Sequence, residues 1–285
     1  MRICQFESGR IGLVEGEAIR DVTEIVKRLP VQSYPLAAGD PFITALPGLK
    51  DELVRLASQA SSRPLGSVRL DSPVANPGKL VAAPVNYRAH LQEAIDDPAT
   101  FSRAHVRKIQ ETGLFLKATS SMVSSAGPIV LGQPGRRTDH EVELAVVIGR
   151  PCRKVSRAEA LSYVAGYTIG LDITVRGPEE RSMRKSIDSY SVLGPWLVTP
   201  DELPDPAGLA LLLKVNGETK QNANTRDLII DVPGLIEMAS DWYTLHPGDV
   251  LFTGTPEGVG PIEAGDVIHA AIEGIGAFDI AVRAA

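Results

Sequence analysis

Residues 139–149, DHEVELAVVIG, read as a single buried strand, yet they include two glutamates, Glu141 and Glu143, two positions apart. Successive side chains on a strand point to opposite faces, so these two share a face and lie side by side. Like charges held that close repel, and acidic side chains are almost never fully buried without a partner. A hard divalent cation between them is the simplest resolution. An edge strand with both acids in water is the alternative that this segment alone leaves open.

The rest of the chain bounds what such a strand can belong to. With 285 residues, 44% hydrophobic and 22% charged, the composition is that of a soluble globular protein. The 35 acidic residues exceed the 29 basic ones, giving a net charge of −6, and the lysines and arginines are dispersed. Nucleic-acid binding, which calls for a basic patch, is not expected. No run approaches the ~20 apolar residues of a membrane helix. The first residues lack the apolar core of a signal peptide, so a cytoplasmic location is expected and a membrane partner is not. Cys4 and Cys152 have no metal-type spacing and read as packing residues.

Residues 1–75 read as a small N-terminal α+β domain. It contains a hairpin over 1–14, a helical stretch at 22–29 and a second helix over 48–60, where Leu49, Leu53, Leu56 and Ala57 recur at helical spacing. A Pro- and Gly-rich stretch at 70–78 marks the boundary. Residues 76–285 then show short apolar runs divided by Gly and Pro: strands at 80–83, 114–117, 142–148, 163–171, 210–215, 249–252 and 266–272. Weaker helical runs fall at 88–95, 101–111, 157–163 and 232–241. Strands and helices do not alternate strictly, so a mixed α+β sheet fits better than a doubly wound one.

Several residues carry chemical potential. Asp172 ends the apolar run 163–171, and a third carboxylate would complete an all-oxygen set suited to Mg²⁺ or Mn²⁺ and unsuited to zinc or copper. A turn or cap role suits Asp172 equally when it is taken alone. Lys185, with Arg176 and Arg184, makes 176–185 the most cationic part of the second segment, and an ordinary solvated basic loop would look the same. His90 is followed at i+3 by Glu93. On a helix the two share a face, an arrangement that activates water, although a surface pair has the same spacing. The loop 253–260 packs three glycines and a proline behind an apolar run, which lets backbone amides approach a ligand.

In this order the segments resemble the fumarylacetoacetate hydrolase family from about residue 79 to the end. The matching motifs are Asn86, Tyr87, Arg88 and His90; Glu141 and Glu143 with the apolar run to Gly149; and Gly166, Tyr167 and Asp172. Lys185, Ser186 and Asp188 before Gly194, Pro195 and Trp196 also match, as do the turn 216–218 and the stretch 247–260.

The resemblance implies a mixed β-roll catalytic domain, usually dimeric, with Mg²⁺ or Mn²⁺ held by Glu141, Glu143 and Asp172. It also implies a lid, over about 92–113, that brings His90 and Glu93 above the metal, with Lys185 at the substrate. Tyr87, Arg88, Arg176, Glu179 and the stretch Thr253, Gly254 and Thr255 are the implied substrate contacts. The implied substrate is a small keto or enol acid, and the implied reaction is hydrolysis of a C–C bond in an acylpyruvate or fumarylpyruvate. Decarboxylation of an oxaloacetate-like acid and isomerisation of a hydroxymuconate-type dienoate would use the same site. Three positions depart from the family pattern. Leu171 stands where Asn is common, Glu179 where Gln is common and Arg181 where an aromatic residue is common.

Overall fold

The computed structural model describes residues 1–97 and 108–285. Among these, twenty strands and five α-helices form an α+β fold with three sheets. Across the middle of the twelve-stranded sheet the order is Arg2–Phe6, Ser191–Val198, Val164–Asp172, Val142–Ile148, Val250–Phe252 and Leu80–Ala82. All these neighbours are antiparallel except the last two, which are parallel. A five-stranded sheet includes Ala210–Val215, Glu218–Asn224 and Val267–Ile272, and a three-stranded one joins Thr138–His140, Thr174–Val175 and Gly260–Pro261.

Val142–Ile148 is buried at every position, because both faces of the large sheet are covered. Its even positions, Val142, Leu144, Val146 and Ile148, pack in one apolar cluster with Leu213, Ile268 and Leu235. The odd positions, Ala145 and Val147, pack in a second cluster with Ile43, Leu46 and Leu53 of the helix Pro41–Gln59. Glu143 has the odd parity, so it extends that second face toward the end of the strand. The antiparallel pairing of Val142 with Leu171 then sets the start of one strand beside the end of the next. Sequence positions about thirty apart thus meet at one sheet edge. Gly170, opposite Glu143, leaves room for the Phe252 ring: a Cβ there would lie 2.6 Å from it.

The first 71 residues add strands to the same large sheet, with Ile3 paired to Leu197. The helix expected over 48–60 begins earlier, at Pro41. Asp40 caps it, accepting from the amides of Phe42 and Ile43 at 2.9 and 3.0 Å, and Pro41 takes a position where no amide is needed. Pro47 lies inside this helix and, as a usual breaker, hides its true start.

Elsewhere the helical expectations shrink. Residues 22–29 form the 3-10 helix Thr23–Arg28, and 157–163 form turns and the short 3-10 helix Ala160–Tyr163. The expected helix at 101–111 and the lid over 92–113 fall partly outside the described residues, which hold only Ile109–Thr112 of the former as helix. Ser191–Val198 is a central strand that contains Pro195, and the ladder shifts register beside it, between Tyr167 and Ile169 of the partner strand. A proline within a sheet is tolerated at such an irregularity.

Candidate active site

Glu141, Glu143 and Asp172 meet in the core, each no more than 4% exposed, with one carboxylate oxygen from each within 4.8 Å of the others. Their burial rules out the edge-strand alternative. The run 139–149 is not one strand, however. It breaks at Glu141, where the chain passes from Thr138–His140 in the three-stranded sheet to Val142–Ile148 in the large one. The Asp172 amide donates to the Glu141 carbonyl at 2.9 Å, which keeps the two strand ends in register across this break.

Buried cations surround two of the three acids. Lys185 Nζ lies 2.7 Å from both Glu141 Oε2 and Asp172 Oδ2 and donates to Thr174 Oγ1 at 2.6 Å. Arg176 bridges Asp139 at 2.7 Å and Glu141 at 3.0 Å. Lys117, fully enclosed, pairs with Asp172 and donates to the Tyr190 carbonyl at 2.8 Å. Burial lowers the pKa of Lys117, and the charge of Asp172 opposes that shift. Burial would raise Glu141, but Lys185 and then Arg176 outweigh it and hold the carboxyl below its usual range.

Glu143 differs. Among the described residues it forms no ion pair, and it accepts from the Gly254 amide at 2.6 Å. Burial, and then the neighbouring Asp172 carboxylate, push its pKa well above the usual range. Three buried hard oxygen donors, one of them without an ion pair among the described residues, fit a divalent Mg²⁺ or Mn²⁺.

His90 and Glu93 lie on the helix Arg88–Asp96, with Nδ1 of the imidazole 2.7 Å from Glu93 Oε2. The other carboxylate oxygen of Glu93 accepts from the Gly258 amide at 2.9 Å. One glycine-rich loop therefore holds both Glu143 and the His90–Glu93 pair. Within that loop the amides of Thr253 and Gly254 are committed to Leu144 O and Glu143, and the hydroxyls of Thr253 and Thr255 to the carbonyls of Leu144 and Val142. These groups brace the site from within the protein rather than pointing into open space.

Of the other expected contacts, Tyr87 is buried, its hydroxyl has no hydrogen-bond partner among the described residues, and its pKa is pushed up by burial and then by Glu143. Arg88 is exposed. Glu179 receives both Arg136 nitrogens at 2.8 Å, an ion pair outside the carboxylate cluster.

Three site residues escape the sequence reading. Lys117 ends a short apolar run and looks like a strand-end lysine. Asn86 binds the Thr253 and Ile230 carbonyls at 2.8 Å and fixes the loop. Gln221 lies in a polar edge strand, where its Oε1 accepts from Val142 N at 3.0 Å and its Nε2 donates to Thr255 Oγ1 at 2.8 Å. Only Asn86 had a signal, as the first residue of the motif that ends at His90.

The profile described as fumarylacetoacetate (FAA) hydrolase C-terminal matches residues 79–283, most of the chain. The chain belongs to the fumarylacetoacetate hydrolase family. It is 53% identical over 285 residues to a maleylpyruvate hydrolase of Aquipseudomonas alcaligenes, covering 99% of each chain. It is 31% identical to a mitochondrial oxaloacetate tautomerase of Xenopus laevis, over 98% of this chain and 89% of that one. Among solved structures, the maleylpyruvate hydrolase of Sphingobium sp. SYK-6 in complex with manganese(II) and pyruvate aligns with a TM-score of 0.85. The identity is 38%, over 100% of this chain and 99% of that one.

Proposed function

We propose that this family member is a divalent-metal hydrolase that splits maleylpyruvate, or a close acylpyruvate, into maleate and pyruvate. The buried Glu141, Glu143 and Asp172 cluster flanked by the His90–Glu93 pair carries this reading, because it combines oxygen ligands with a base for water. The 53% identity to a maleylpyruvate hydrolase supports the choice of substrate. Mg²⁺ or Mn²⁺ held by the three carboxylates would polarise the 2-keto oxygen and stabilise the charge that develops there as the C–C bond breaks.

The chain's own groups do the rest. With His90 Nδ1 committed to Glu93, which orients the ring, proton transfer falls to Nε2 in this reading. His90 takes a proton from water, and the resulting hydroxide attacks the carbonyl carbon next to the alkene. The bond from that carbon to the methylene breaks. Its electron pair passes to the methylene, which takes a proton to give pyruvate. In this reading Lys185, beside the carboxylates, supplies positive charge toward the attacked carbonyl oxygen. Tyr87, Arg176 and the 253–255 loop shape the substrate pocket in this reading.

In this reading residues 76–285 are the catalytic domain, which holds every carboxylate of the cluster, and residues 1–75 a small N-terminal domain whose strands extend the same large sheet. A cytoplasmic homodimer completes the reading. Family resemblance supports the dimer, which light scattering tests.

The purified protein with Mn²⁺ should convert maleylpyruvate to maleate and pyruvate, followed by proton NMR, and should lose the activity in EDTA. Turnover of oxaloacetate with none of maleylpyruvate would sink the assignment.

A further inference from the structure

Lys185 closes a short helix, Arg181–Lys185, that presents three basic side chains. Lys185 reaches the carboxylates, and Arg184 donates to the backbone carbonyls of Glu179 and Val175 at 2.8 and 3.2 Å. Arg181, four positions before Lys185, shares its face of the helix. The Phe115 ring lies beneath both, with its centre 5.5 Å from the Arg181 guanidinium and 5.6 Å from Lys185 Nζ. The two cations are therefore no more than about 11 Å apart. Phe115 belongs to the strand Phe115–Lys117, whose Lys117 pairs with Asp172, so this shelf of ring and cations is continuous with the cluster. Arg181 lies at its outer end, only partly buried, within electrostatic reach of Glu141 and Asp172.

A molecule whose keto-acid end sits at the carboxylate cluster would extend along this shelf. The distal carboxylate of maleylpyruvate lies beyond the attacked carbonyl and is roughly 7 Å from its first carboxyl carbon when extended, from ordinary bond lengths. That span fits within the bound of about 11 Å between the two cations, with the keto-acid end at the cluster and the distal carboxylate toward Arg181. A planar guanidinium suits a carboxylate, and its fork gives more directional contact than an ammonium. We propose that Arg181 recognises the distal carboxylate, so that the enzyme selects acylpyruvates ending in a carboxylate over those ending in an alkyl group. This inference rests on the acylpyruvate reading above and narrows it.

The test compares maleylpyruvate with acetylpyruvate, which has the same dioxo acid head and a neutral methyl end. In Arg181→Met, kcat/KM for maleylpyruvate should fall about 30-fold or more, mainly through KM, while acetylpyruvate changes less than about threefold. Arg181→Lys should recover part of the loss. Inhibition by maleate should weaken, and inhibition by pyruvate should not. Calorimetric Mn²⁺ affinity and the melting temperature report whether either variant is folded. An equal loss on both substrates in a folded variant, or no loss on maleylpyruvate, overturns the assignment of Arg181. A wild-type protein that hydrolyses neither substrate overturns the functional reading and this inference with it, before any variant is compared.

Discussion

Glu143→Gln should reverse its effect on stability according to whether metal is bound. Glu143 is buried with no ion pair among the described residues, and its folded-state pKa is raised by burial and then by Asp172. Such a group favours the fold while protonated. Its contribution is present below the ordinary glutamate pKa of about 4.3 and is lost as pH climbs through the raised value. Glutamine keeps the acceptor for Gly254 N–H and removes the charge, so the metal-free variant should melt above metal-free wild type at pH 8, with the gap closing near pH 4.

Metal inverts this order. At a concentration a hundred times its Kd, a ligand adds about 2.7 kcal/mol to the folded state. With an unfolding entropy of about 2.1 cal/mol/K per residue over 285 residues, that is a rise of roughly 4–5 °C. Wild type should gain this with Mn²⁺, and Glu143→Gln should gain almost none of it. Scanning calorimetry at both pH values, with EDTA and with Mn²⁺, reads all four cases. A variant that keeps the full Mn²⁺ shift would refute the ligand role of Glu143, and one that melts lower than wild type without metal at pH 8 would refute the charge argument.

Three further outcomes follow from the same geometry. His90→Ala should bind Mn²⁺ as wild type does by calorimetry, yet lose about 10²–10⁴-fold in kcat, the usual worth of a positioned base; unchanged turnover would remove His90 from the mechanism. Lys117→Met removes one of the two buried cations paired with Asp172 and leaves Lys185 shared with Glu141; breaking a buried pair costs about 3–5 kcal/mol, a drop in metal-free melting temperature of roughly 5–8 °C. A drop under about 2 °C would mean that Lys185 alone compensates Asp172. Gly254→Ala brings a Cβ within 2.7 Å of Asn86 Cβ at a φ of +96°, so the loop must move and take its amide away from Glu143. Weaker Mn²⁺ binding is expected there, and unchanged affinity would show that the loop does not position the ligand.

The local pattern of apolar runs located the two strands that matter most, because Val142–Ile148 and Val164–Asp172 are buried on both faces and their sequences show it. The cluster of three acids was legible for the same reason: an acid inside or at the end of such a run has few explanations. Cations supplied from a distance were not legible. Lys117 lies 55 residues from Asp172 and pairs with it only because the strand Phe115–Lys117 joins the far edge of the same sheet. Gln221 reads as an exposed-strand residue, since its neighbours are polar and only the packing of one sheet on another turns it inward. Pro47 and Pro195 misdirected the local reading, because each is tolerated through context: a helix already capped at Asp40, and a ladder that shifts register.

In the proposed reaction, metal-assisted attack of water cleaves the bond between the methylene and the carbonyl next to the alkene. Hydrolysis of maleylpyruvate in H₂¹⁸O by the Mn²⁺-loaded protein, read by mass spectrometry of the products, tests it directly. That reaction predicts one ¹⁸O in the new carboxylate of maleate and none in the pyruvate carboxylate. Label absent from maleate, or release of CO₂ in place of pyruvate, would contradict it.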